Sequence, residues 1–491
     1  MPSPLLYEIN TRCWLREFSE RAHRRMTLAD VPDSELAAWV RRGFTHIWLM
    51  GVWTSGPHAR ARAWASPQQR EAYTQTLPDW KDADVVGSPY AVAEYVVSPP
   101  LGGDEALARF RERLHSRGLR LLLDFVPNHL GLDHPWVRGR PELFVQSTRP
   151  MDGTFEQETL TGNRFLAHGR DPNFPPWTDT VQLDYRNPEA RAALLQVLHR
   201  VAQRCDGVRC DMAMLLLQDV FERTWSQFPG KPLPDEFWAE AIAAIKLEQP
   251  EFLFLAESYW GLEGRLQALG FDYTYDKAVY DGLVARDPAA VQRHLAQTPI
   301  ECLARGAHFL ENHDEPRIAS LLSLAEHRAA ALLILGLPGM RFLHEGQLEG
   351  ATRRVPVQLV RRPEEPVQPE VVRMYEGMLA ALASSRVGQG RGELVKLRKA
   401  GEGENSVQPD IVLIRWQNPE PGFDLVAVNL AAHASDGWVP SDALKSAAAW
   451  VVKDRFGTAE DREGEITSRE GKLHVRLPPH GAKVVQLLPA S

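Results

Sequence analysis

Along this chain, four apolar runs stop abruptly at charged or polar residues: LLLDFVPNH (121–129), GVRCD (207–211), FLFLAES (252–258) and FLENHD (309–314). A run apolar at nearly every position reads as a strand buried on both faces, the condition of a parallel sheet covered by helices. Similar segments bring the predicted strands to eight: 5–9, 45–51, 119–126, 205–211, 252–257, 271–275, 307–312 and 340–346. Helical patterns lie between them. Residues 33–43 and 103–118 each end on a glycine, and the second carries acids early and arginines late, as the helix dipole and C-cap favour. Residues 187–204 form another such stretch. This alternation, from about residue 5 to residue 385, predicts an α/β architecture, and eight strands are what a closed (β/α)8 TIM barrel needs.

Two connections, about 52–102 and 129–184, are too long for simple barrel loops. Both follow predicted strands and would wall the catalytic face, and their many Trp, Tyr and Phe residues predict order. After about residue 390 the pattern changes to short strands at 410–417, 424–431, 448–456, 472–477 and 482–488, a C-terminal antiparallel β-sandwich. GEGEN (401–405) between the first of these and the barrel is predicted as a surface loop. The expected organisation is a catalytic barrel over 1–128 and 185–388, a loop domain inserted after strand three over 129–184, and the sandwich over 389–491.

Composition narrows the function classes. The 491 residues are 44% hydrophobic and 24% charged, enough for a large core. Net charge is −8 with no basic block, so a nucleic-acid partner has no electrostatic support. Four cysteines without a CxxC pair give no basis for a disulfide framework or a zinc site. No apolar stretch is long enough to span a membrane, and MPSPLLYEIN lacks the basic and apolar regions of a signal peptide. The expectation is a soluble, cytoplasmic protein.

Three of the four runs deliver one carboxylate each, Asp211, Glu257 and Asp314. Catalytic groups of a β/α barrel sit at strand C-termini, so these positions are candidates together. Arg209 lies two residues before Asp211, on the same face of a strand, where its fixed charge favours an ionised carboxylate. The alternative for that pair is a structural ion pair inside the barrel. The apolar lead-in to Glu257 would desolvate it and raise its pKa, as suits a general acid. His313 and Asp314 place a donor beside an acceptor at one strand end.

DFVPNH, GVRCD, AES and ENHD, in that order and spacing, resemble the four signatures of the α-amylase family of retaining α-glycoside hydrolases and transglycosylases. VQLDYRNPEAR (181–191) is similar to a fifth signature, and GSPYAVAEY (87–95) to the tyrosine-bearing loop after strand two. The resemblance implies Asp211 as nucleophile, Glu257 as general acid/base and Asp314 as transition-state stabiliser. It further implies Arg209 as the nucleophile's partner, His129 and His313 as contacts to sugar hydroxyls, and Tyr90 as a stacking surface.

The chain also departs from that pattern. In many amylases a calcium ion is held by an Asn before the first-signature His, an Asp of the fifth signature and a carbonyl of a Lys-His pair after the nucleophile. Asn128 is present, but Gln182 replaces the Asp and Met214-Leu215 the pair, so no cofactor is expected and calcium is not favoured. Met214-Leu215 also predicts a less polar acceptor side. Met212 is bulkier than the residue common there and is expected to narrow the site. Trp260 is either an acceptor-side platform or packing beneath a loop.

The leading expectation is a retaining hydrolase of α-glucosidic bonds in malto-oligosaccharides or glycogen-type α-glucans, acting through a covalent glycosyl-Asp. The alternative is an intracellular α-glucan transglycosylase of the 4-α-glucanotransferase, disaccharide phosphorylase or isomerase type. A non-catalytic barrel scaffold and a metal-dependent enzyme using His129, His313, Asp124 and Asp211 stand further off, the first against an intact acid set and the second without a short-spaced ligand motif.

Overall fold

In a computed structural model, the described residues are 3–160, 162–233, 235–398, 410–417, 422–440, 450–457, 464–469 and 472–490. Eight parallel strands close into a barrel: β1 (Leu5–Asn10), β2 (His46–Met50), β3 (Arg120–Phe125), β4 (Gly207–Cys210), β5 (Leu253–Ala256), β6 (Tyr273–Tyr275), β7 (Gly306–His308) and β8 (Met340–His344). Each strand falls within or beside an apolar run read from sequence. Alternate residues point inward, and Leu6, Trp48, Leu122, Leu253, Leu255, Ala307, Phe309, Met340 and Phe342 pack as the barrel interior. The other faces pack against the surrounding helices in one large core.

The two long connections are structured. The first carries a small hairpin, Trp53–Ser55 with Val92–Val97, and the helices Pro57–Ala65 and Pro67–Thr76. The second begins as the strand His129–Gly131, which pairs antiparallel with Thr180–Gln182, and encloses a three-stranded sheet over residues 146–167. A third excursion, residues 345–368, crosses from β8 to the first: Arg361 binds Asp79 and Asp84, while Arg362 binds Glu17 and Glu345.

The C-terminal unit contains a five-stranded and a three-stranded antiparallel sheet. The strands Gly392–Val395, Ser435–Val439 and Glu465–Arg469 add to those predicted, and the GEGEN segment lies outside the described residues. The helix Leu324–Gly336 is apolar on nearly all sides because it is buried between barrel and sheet. Gly336 lets Val426 approach so closely that an added Cβ would lie 2.7 Å from its Cγ1, and the Trp416 indole donates to the Gly336 carbonyl. Among the described residues the cysteines are unpaired, and no helix is long and apolar enough to cross a membrane.

Candidate active site

The inward faces of β1, β3, β4 and β5, followed upward, lead from the apolar interior into charge. Leu6 is followed by Glu8, Leu122 by Asp124, Gly207 by Arg209 and Asp211, and Leu253 and Leu255 by Glu257. Arg209 lies level with Asp124 of β3 and Leu255 of β5, and Glu8 level with Trp48 and His344. The period of two therefore stacks a polar layer on top of the hydrophobic one.

Arg209 is the centre of that layer and has no solvent exposure. Its NH1 donates to Asp211 Oδ1 at 2.7 Å, and its NH2 stands 2.8 Å from Glu257 Oε2 in an ion contact without good hydrogen-bond alignment. Asp124 lies 4.0 Å away. The rings of Trp48, Tyr90 and Tyr275 surround the guanidinium at 5.3, 5.4 and 5.7 Å. Burying this charge is unfavourable alone, and the carboxylates and ring faces offset it and keep it protonated.

Glu257 is buried, with Oε1 accepting from the Tyr259 hydroxyl at 2.7 Å and Oε2 from the Met212 amide at 2.6 Å. Met212 reaches it from a left-handed conformation (φ +44°), strained for a residue with a Cβ. Burial lifts Glu257 to a pKa of about 7, against the pull of Arg209. Burial likewise raises Asp211, opposed by the charge and hydrogen bond of Arg209. Asp124, bonded to the Trp48 indole and the Gly51 amide, is also raised by burial, to about 7.

Asp314 behaves oppositely. Its side chain is 47% exposed, and its partial desolvation is outweighed by His313, 3.0 Å away, so its carboxyl falls to about 2. His313 also meets the Tyr90 hydroxyl at 2.8 Å and the Glu8 carboxylate at 2.5 Å, and the Tyr90 ring stacks on it at 22°. The two acids hold the imidazole well above its ordinary pKa despite burial. Two carboxyls with opposite shifts at one barrel mouth provide a proton donor and a permanent anion near neutral pH.

Arg209, Asp211, Glu257, Tyr90, His313 and Asp314 thus form one contiguous constellation. His129 adjoins it through a hydrogen bond to the Tyr90 backbone, is lowered to about 4 by burial, and has Trp177 against its ring at 5.0 Å. Trp260 is 42% exposed with φ +65°, so it does not pack beneath a loop. Met214 and Leu215 correct an expectation. They lie in the turn Ala213–Leu216 and are buried in the core, so they do not face an acceptor. Glu8 and Tyr259 were not singled out from sequence, although a glutamate on the inward face of LLYEI is a signal available there.

The oxygens expected to hold calcium meet a nitrogen instead. Gln182 Nε2 donates to Asn128 O at 2.8 Å, Asn128 Oδ1 at 3.1 Å and Leu183 O at 3.1 Å. A hard divalent cation needs six to eight oxygens including carboxylates, and this neutral set around an amide donor does not fit one. Among the described residues no three His, Cys, Asp or Glu side chains cluster as metal ligands.

The described residues thus combine a (β/α)8 barrel, an acidic, arginine-centred site at its strand ends and a C-terminal β unit. The α-amylase catalytic-domain model matches residues 41–151. The α-amylase MalA of Haloarcula japonica is 26% identical over 53% of this chain and 36% of its own length. The trehalose-6-phosphate hydrolase of Escherichia coli is 25% identical over 54% of this chain and 56% of its own, and the trehalose synthase/amylase TreS of Mycobacterium tuberculosis 24% identical over 49% and 44%. The matched stretch spans about a third to somewhat over half of these relatives. The maltogenic α-amylase AmyB of Thermotoga neapolitana shares the fold at a TM-score of 0.68 and 17% identity, covering 99% of this chain and 98% of that one. The α-amylase of Geobacillus thermoleovorans, complexed with acarbose, does so at 0.69 and 16%, covering 99% of both. The chain is thus similar to the α-amylase family in sequence over part of its barrel and in fold over its length.

Proposed function

We propose that the protein is a retaining α-glycosidase of malto-oligosaccharides or related α-glucans, with the unit formed by 1–128 and 185–388 as its catalytic body. The observation that carries this reading is one guanidinium holding both Asp211 and Glu257. A shared guanidinium keeps the two carboxyls close to one another, which favours the short separation, roughly 5–5.5 Å, that retention requires. An Asp211 oxygen attacks the anomeric carbon as its bond to the leaving oxygen breaks, and protonated Glu257 gives that oxygen its proton. Glu257, now anionic, takes a proton from water or an acceptor hydroxyl, which attacks the same carbon and frees Asp211. Asp314 and His313 grip ring hydroxyls more tightly as the sugar flattens toward an oxocarbenium ion. His129 and Tyr90 complete the donor pocket, and Trp260 offers an exposed face to the acceptor. The names of the relatives, amylases alongside a trehalose hydrolase and a trehalose synthase, support an α-glucoside donor and leave transfer as the second reading.

Incubation with maltose through maltoheptaose, with and without phosphate, tests this directly. Glucose and shorter chains indicate hydrolysis, products longer than the substrate indicate transfer, and a sugar phosphate indicates phosphorolysis. Absence of reaction with every α-glucoside, with an Asp211→Asn variant behaving identically, overturns the reading.

A further inference from the structure

We infer that the carboxamide of Gln182 does the work of a cation, clamping the loop after β3 to the barrel through a donor nitrogen and making the placement of His129 independent of metal. Three acceptor oxygens converge on one point, Asn128 O, Asn128 Oδ1 and Leu183 O, all within 3.1 Å of Gln182 Nε2. Converging oxygens repel one another unless something positive sits among them. In this chain the partial charges of two N–H bonds fill that role. The residue is fully buried, and its Oε1 has no partner among the described residues, so only the nitrogen end is engaged.

The clamp is tied to the site. Gln182 is the residue paired with His129 in the ladder between Thr180–Gln182 and His129–Gly131. Asn128, whose two oxygens the clamp binds, has its own amide nitrogen 3.3 Å from His129 Nδ1. Gly169 closes the other side, where an added Cβ would lie 2.9 Å from the His129 Cβ. The imidazole is therefore held between a hydrogen-bonded carboxamide and a bare stretch of backbone, and neither support needs an ion. This inference does not rest on the glycosidase reading, because its readout is thermal stability and cation binding.

The test uses the full chain, with melting followed in EDTA and in millimolar CaCl2, and Ca²⁺ binding by titration calorimetry. The wild-type protein is expected to melt at the same temperature in both and to bind no Ca²⁺. Gln182→Asp sets a carboxylate against the three oxygens, so it is expected to melt lower in EDTA by at least about 2 °C. Added Ca²⁺ should restore it, because the site then has a carboxylate to bind the ion. Gln182→Leu, which removes the donor without supplying a ligand, should melt lower under both conditions. A wild-type melting temperature that falls in EDTA and recovers with Ca²⁺ overturns the inference, even where neither variant folds. A Gln182→Asp variant as stable as wild type in EDTA, or folded but unresponsive to Ca²⁺, overturns it as well.

Discussion

The Glu8 carboxylate lies 2.5 Å from His313 Nδ1, and both side chains are almost wholly out of solvent. Glu8 takes Nδ1, leaves Nε2 to Tyr90 and Asp314, and helps hold the ring charged. A histidine whose folded pKa is raised contributes stability that is complete below its unfolded value and is lost as pH rises through the folded one. Glu8→Gln should therefore destabilise by about 1–3 kcal/mol at pH 6, and by progressively less as pH rises through the raised value of His313. Urea unfolding of both proteins across that range checks it, and a pH-independent difference would remove the charge from the explanation.

In the proposed mechanism Glu257 can donate its proton only while protonated, and burial lifts its pKa to about 7. Turnover should fall as pH rises through that value, and Glu257→Gln should lose about 10²–10⁴-fold in kcat. Stability carries the same signature with its own sign. The folded state holds this proton more tightly than the unfolded chain, so wild-type stability declines between about pH 4.5 and pH 7. Glu257→Gln lacks that decline and should gain on wild type at pH 8 relative to pH 5 in matched melts.

Arg209 is enclosed by Asp211, Glu257 and three rings, and removing its charge strands the acids. Arg209→Met should cost about 3–5 kcal/mol in denaturant unfolding. Arg209→Lys keeps the charge but cannot reach both carboxyls, so it should fold while losing most activity. Full activity in the lysine variant would show that the fork is dispensable.

Trp260 combines exposure with a left-handed backbone, followed by Gly261 at φ +72°. Trp260→Gly relieves strain that Trp260→Ala retains, so the glycine variant should be more stable by about 1 kcal/mol. Both lose the aromatic face and should raise KM for long oligosaccharides more than for maltose. Unchanged KM along the maltose-to-maltoheptaose series would exclude a platform.

How far the site could be read in advance depended on whether its information was local. Leu253, Leu255 and Glu257 share one face of one strand, so the apolar run itself announced the acid at its end. The turn at Met214 and Leu215 carried no such cue. The resemblance assigned them to the acceptor side, whereas their side chains follow the core. The strands Ser435–Val439 and Glu465–Arg469 are not legible in the sequence because each is short and half polar, and the first holds a glycine, so neither shows a clear alternation. Glu8 is hard to read for a different reason. Its meaning depends on His313, 305 positions away, and no window on the sequence contains both.

That separation governs how the protein comes into being. The first strand closes the barrel against the last, with β1 pairing to β8 and the Asn10 amide bonded to Glu345. A chain still emerging from the ribosome can pack its early strands, but it cannot bring Glu8 to His313 until most of its length has been made. Closing so long a loop adds little free energy but slows the search. Protonation of His313 should therefore be among the last properties acquired during refolding, and the appearance of activity should time the sealing of the barrel.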